Sequence, residues 1–61
     1  MDNKQIKTLR EKLNLSQTEF AKKIGYSREH ISFVENGKRP VGIKLEKKIN
    51  ELMKELGLLI K

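Results

Sequence analysis

The sequence predicts an all-α fold in a single small domain, and three observations predict it. Apolar residues recur at three- and four-residue spacing in four separate segments. Each segment is bounded by a capping residue, a glycine or a proline. Gln17, Ala21, Gly25, Ile31 and Val34 carry the spacing of two short helices joined by a tight turn. Glycine is expected at 25 because a chain passing from one helix to the next within a few residues needs a left-handed backbone position. A small residue is expected at 21 because two helices crossing closely leave no room for a larger side chain.

The elements follow in order. Ile6, Leu9 and Leu13 form the apolar stripe of a first helix over about 3–13, capped by Asp2, with Gln5 in the reciprocal position, or by Asn3. Asn14 and Leu15 turn the chain. Ser16-Gln17-Thr18-Glu19 is a capping box, and Leu15 with Phe20 forms the hydrophobic staple that accompanies it, so a second helix spans 17–24 and stops at Gly25. Ser27 caps a third helix over about 28–36, with Tyr26 and Ile31 as a second staple and Ile31 and Val34 facing inward. Asn36-Gly37 closes it, and Lys38-Arg39-Pro40 forms a basic loop. From Ile43 onward, Leu45, Ile49, Leu52 and Leu56 recur at helical spacing, widened by Met53, so a fourth helix over 43–56 should lie across the other three. Leu58-Leu59-Ile60 either fold back onto the core or make a homodimer contact.

Composition narrows the function classes. Sixty-one residues bury a small core, so residues 1–61 are expected to form one domain held by well-matched helix packing. There is no cysteine and only one histidine, which leaves no disulfide framework or zinc site within the chain and matches a cytoplasmic location. No segment approaches the apolar length of a membrane span, and no metal or other cofactor is expected. Fourteen Lys and Arg against eight Asp and Glu leave a net charge of +6, a footprint shared by nucleic-acid binders and by solubly charged helix faces.

On a helical wheel, Ile31, Val34 and Glu35 share one side of the third helix, while Glu29, Ser32, Phe33 and Asn36 project from the other. An outward Phe33 fits a thymine methyl in a major groove, or else it leans onto the neighbouring loop or helix. Arg28, in the first turn, reaches guanine O6 and N7 with a two-pronged contact in preference to a phosphate alone. Glu29 accepts from a cytosine amino group, holds Arg28, or repels phosphate at wrong sites. Ser32 is a shorter-reaching contact to base or backbone. Gln17 opens the second helix, where its amide and unpaired backbone N–H groups point at an approaching phosphate. Lys38 and Arg39 flank the groove, Tyr26 is half staple and half phosphate donor, and His30 lies on the flank, facing solvent or near backbone. Arg10 falls four residues after Ile6 and Glu35 four after Ile31, so both charges sit on inward faces and should meet as an ion pair.

These residues resemble the phage-repressor and Cro-like (Xre-type) helix-turn-helix family, through Leu15-Ser16-Gln17, Glu19-Phe20-Ala21, Gly25, Ser27, Ile31-Ser32, Glu35-Asn36-Gly37 and Lys38-Arg39-Pro40. The resemblance covers about residues 4–53. It implies a compact lambda-repressor-like bundle of four or five helices that binds operator DNA as a dimer and represses or regulates transcription. It further implies that Gln17 and Asn36 seat the phosphate backbone, that Ser27, Arg28, Glu29 and Phe33 occupy base-reading positions, and that Arg10 pairs with Glu35. One departure is visible: Lys54-Glu55 continue the helical pattern to Gly57, where family members often break earlier and add a fifth helix.

The expected function is therefore a non-enzymatic, sequence-specific reader of double-stranded DNA, a transcriptional regulator acting as a repressor, homodimeric at least on DNA, with no small-molecule ligand or membrane partner. An alternative keeps the fold but binds a protein, as an antitoxin or anti-repressor part would, using Phe33 and the apolar tail.

Overall fold

A computed structural model describes residues 1–57; the apolar stretch Leu58-Leu59-Ile60, with its two expected fates, lies outside the described residues. Among the described residues there are four helices and no strand: α1 Asn3–Lys12, α2 Gln17–Ile24, α3 Arg28–Glu35 and α4 Ile43–Glu55. Three of them stop one residue earlier than the periodicity predicts, because Leu13, Asn36 and Leu56 serve as C-caps. A fifth helix would begin beyond the described residues.

Local chemistry sets the ends. Asp2, not Asn3, caps α1: its carboxylate accepts from the Gln5 backbone N–H at 2.8 Å while the Gln5 side chain accepts from the Asp2 N–H at 2.8 Å. Ser16 and Glu19 make the same reciprocal pair at the start of α2, at 3.1 and 2.9 Å. The Ser16 backbone N–H, and then its hydroxyl, hold the Glu19 carboxyl below the ordinary carboxylate range. That contribution is present above the ordinary glutamate titration and disappears as pH falls through the lowered value.

Left-handed residues terminate the helices. Gly25 (φ 77) lets the Tyr26 N–H reach back to the Ala21 carbonyl at 2.8 Å, and Gly37 (φ 76) does the same for Lys38 and Phe33 at 2.8 Å. The same turn ends α1 without glycine. Asn14 takes φ 57, its N–H donates to the Glu11 carbonyl and that of Leu15 to the Arg10 carbonyl, at 3.0 and 3.2 Å. Asparagine tolerates this conformation better than other side chains with a Cβ.

Ile6, Phe20, Ala21, Ile24, Ile31, Val34, Leu45, Ile49 and Leu52 form one core, with Leu9, Leu13, Leu15, Tyr26, Val41 and Met53 packed around it. The closest packing is α2 against α3 and α1 against α3. α4, expected to lie across the other three helices, has α2 as its main partner. Leu56, placed on the apolar stripe by its spacing, is 48% exposed. Leu56 is the C-cap of α4, one residue past its last helical position and beyond Leu52, the last buried residue of the stripe.

Ala21, 2% exposed between α2 and α3, tests this packing. Ala21→Leu should overpack the crossing and cost about 1–3 kcal/mol in urea denaturation; no loss would mean that the two helices are not in close contact there.

Candidate nucleic-acid interface

Folding brings four separated parts of the chain to one polar cluster beneath the outer face of α3. The Arg10 guanidinium, from α1, donates through Nε to Glu35 Oε2 at 2.6 Å and through Nη2 to Glu35 Oε1 at 3.1 Å. Its Nη1 donates to the Leu15 carbonyl at 2.8 Å, an oxygen presented by the left-handed turn at Asn14. Gln17, opening α2, donates from Nε2 to Glu35 Oε1 at 3.1 Å. The side chains of Arg10 and Glu35 are only 12% and 3% exposed. The hydrogen bond to Glu35, helped by its charge, raises Arg10 above the ordinary guanidinium range against the opposing effect of burial. Among the described residues, no buried side-chain nitrogen or oxygen lacks a hydrogen-bond partner.

The cluster sets which side of α3 faces outward. Ile31 and Val34 are fully buried, while Ser27, Arg28, Glu29 and Asn36 are exposed, Ser32 is half-buried and Phe33 is 46% exposed. Ser27 is the N-cap, its hydroxyl accepting from the His30 N–H at 3.1 Å. Asn36 donates to the Ser32 hydroxyl at 3.4 Å, so the last turn carries a polar pair beside the apolar ring of Phe33.

Two residues differ from the sequence-based description. Gln17 is not simply an outward amide: it is half-buried, and one of its two amide hydrogens is directed to Glu35, which leaves the second available to a ligand. His30, expected on the flank facing solvent or near backbone, meets side chains instead: it is half-buried, its ring lies 4.8 Å from that of Tyr26, and its Nδ1 is 3.4 Å from Arg39 Nη1. Arg39 is therefore tethered, whereas Lys38 is exposed without a side-chain bond among the described residues.

Asn3, read from the sequence only as a possible cap, spans the molecule instead. Its Nδ2 donates to the Val34 carbonyl at 2.7 Å and to the Arg39 carbonyl at 2.8 Å, pinning the basic loop against the end of α3 and the start of α1. The Arg39 N–H adds a bond to the Phe33 carbonyl at 3.3 Å, so the loop folds back alongside α3. No local pattern marks Asn3 for this task, because the partners lie 31 and 36 positions away. Among the described residues, no group of three or more His, Asp or Glu could hold a metal ion, and no helix is long and apolar enough to cross a membrane.

A family model described as Helix-turn-helix matches residues 6–55. A relative from Archaeoglobus fulgidus, named as an uncharacterized HTH-type transcriptional regulator, is 48% identical over 44 residues, which cover 72% of this chain and 62% of the relative. The chain thus matches about three-fifths of that relative's length. No solved structure matches.

Breaking the buried cluster on one side should be expensive. Glu35→Ala strands the Arg10 guanidinium and the Gln17 amide and should cost about 3–5 kcal/mol in urea denaturation. In a double-mutant cycle, Arg10→Ala combined with Glu35→Ala should cost clearly less than the sum of the two; strict additivity would mean that the pair is not coupled.

Proposed function

Because the chain belongs to the Xre-type, lambda-repressor-like helix-turn-helix family, we propose that it is a sequence-specific double-stranded DNA-binding regulator of transcription, a non-enzymatic cytoplasmic repressor that inserts α3 into the major groove of an operator. The observation that carries this reading is the two-sidedness of α3. Its inner side is held by Ile31, Val34 and the Arg10–Glu35 pair, while its outer side offers Arg28, Glu29 and an exposed Phe33. An apolar ring among charged groups on an otherwise polar helix face matches a major groove, where thymine methyl groups alternate with hydrogen-bonding base edges.

The mechanism divides into positioning and readout. Gln17, Asn36, Lys38 and Arg39 contact phosphates and set register. Ser27, Arg28, Glu29, Ser32 and Phe33 read bases: Arg28 donates in a fork to guanine O6 and N7, Glu29 accepts from a cytosine amino group, and Phe33 meets a thymine methyl. Ser27 stays the helix cap, so its base contact comes from the remaining capacity of its hydroxyl. Two copies on one face of the duplex would read half-sites about 34 Å apart, which makes the operator a palindrome.

The same outer face, led by Phe33, would serve the alternative of an antitoxin or anti-repressor part that binds a protein. Salt separates the two. Duplex affinity should fall steeply with ionic strength, and Lys38→Ala should reduce the slope of log K against log salt by about one; a salt-insensitive complex would favour the protein partner. Selection from a random duplex pool should return a palindromic site. Arg28→Ala should lower discrimination at one base pair per half-site by about 1–3 kcal/mol and leave thermal stability intact. Unchanged preference would make Arg28 a backbone contact.

A further inference from the structure

Beside α3, a surface pocket of about 450 Å³ is lined by Tyr26, His30, Arg39 and Lys44 together with Pro40, Gly42 and Leu45. Its lining contains two fixed positive charges and an imidazole but no carboxylate. The groups that share the pocket with His30 come from three directions: Tyr26 from the turn before α3, Arg39 from the basic loop and Lys44 from α4. On its own helix the preceding Glu29 is exposed and lies outside the lining. Arg39 Nη1 lies 3.4 Å from His30 Nδ1. A guanidinium can only donate, so this contact needs a lone pair on Nδ1 and therefore a neutral ring with its hydrogen on Nε2.

We infer that this pocket takes a phosphate of the bound duplex and that His30 gains a proton as the phosphate enters, so that DNA binding is proton-linked. The inference rests on the DNA-binding reading above. The lining carries the Arg39 and Lys44 charges and no carboxylate, so a phosphate oxygen entering it supplies an opposite charge and favours the protonated imidazole beside it. The proton comes from solvent and adds to Nδ1. The hydrogen bond from Arg39 to that atom is given up, and both groups then donate to phosphate oxygens, giving two charge-assisted bonds in place of one between a cation and a neutral ring. Imidazole is the side chain suited to this exchange because its ordinary titration falls near neutral pH.

His30 is the sole histidine, so its ring resonances report on this site without ambiguity. They should be titrated by NMR in the free protein and in complex with the selected duplex, alongside duplex affinity from about pH 5.5 to 8, the range over which imidazole changes charge. The titration midpoint should lie about one pH unit higher in the complex, and affinity should be about tenfold tighter per bound copy at the acid end. His30→Gln keeps an acceptor for Arg39 but cannot gain a proton, and should flatten the affinity profile. Coincident midpoints in the free and bound states, or an equally steep profile in His30→Gln, would overturn the inference. Inorganic phosphate at matched phosphate concentration should leave the midpoint near its free value; an equal shift would overturn the assignment to the duplex. Failure of the protein to bind any duplex across the whole range would overturn the DNA-binding reading itself, and this inference with it.

Discussion

The forked contact between Arg10 and Glu35 is the constraint on which the arrangement of this small fold depends. Apolar packing between short helices tolerates a range of side-chain shapes as long as volume and pattern are kept. Two parallel hydrogen bonds from one planar guanidinium to one carboxylate tolerate far less. Here the same guanidinium also holds the Leu15 carbonyl, and the same carboxylate holds Gln17. One cluster therefore relates α1, the turn into α2, the first residue of α2 and the last residue of α3. Rotation of α3 about its axis would break bonds to all of them, and that rotation decides which side chains face outward.

Such a constraint matters because the two helices of the motif are short. Eight residues make little more than two turns, too few to be stable in isolation. The helices exist because their ends are capped by side chains or left-handed turns and because one side of each is buried in the shared core. The bonds from Asn3 extend the same logic to the basic loop, which would otherwise hang from Gly37 and Pro40 as a free connection. Tied to Val34 and Arg39 carbonyls, the loop is carried by the start of α1 and the end of α3 together. The loop backbone then has a defined position relative to α3, which lowers the entropic cost of presenting its charges to a ligand.

The boundary between what the sequence reveals and what it hides follows the range of the interactions. Ser16 with Glu19, Gly25, Ser27 and Gly37 declare themselves because caps and left-handed turns act over three to six residues, within reach of a local pattern. The core is legible for the same reason, since Ile6, Ile31, Val34, Leu45 and Ile49 keep helical spacing and are all buried. Leu56 keeps the spacing but loses the burial, because periodicity says which face a residue occupies and not where along it the burial ends. Arg10 and Glu35 stand out as charges on apolar faces. The bond from Gln17 to Glu35, the reach of Asn3 and the contact of His30 with Arg39 leave no such trace: each joins polar residues whose chemistry is also satisfied by water, and only the folded geometry selects the partner.

That division bears on how the outer face can change. The residues that set the orientation of α3 point inward or belong to neighbouring elements, and the residues that face outward, Arg28, Glu29 and Phe33, are engaged in no side-chain hydrogen bond or ion pair among the described residues. Replacing Arg28 or Glu29 removes no partner from the core and leaves no buried group unsatisfied, so the cost to stability is that of an ordinary surface substitution, within about 0.5 kcal/mol, whereas replacing Phe33 also gives up the packing of its covered half. The scaffold and the reading surface are thus energetically separable on α3. Gln17 is the exception. It opens α2 toward the outer face and at the same time donates to Glu35, so any ligand that draws its amide outward competes with the buried carboxylate for it. Contact at that position is coupled to the ion pair that orients α3, whereas contact at Arg28 or Phe33 is not. The surface therefore joins a few freely variable positions to one whose occupancy is felt by the core.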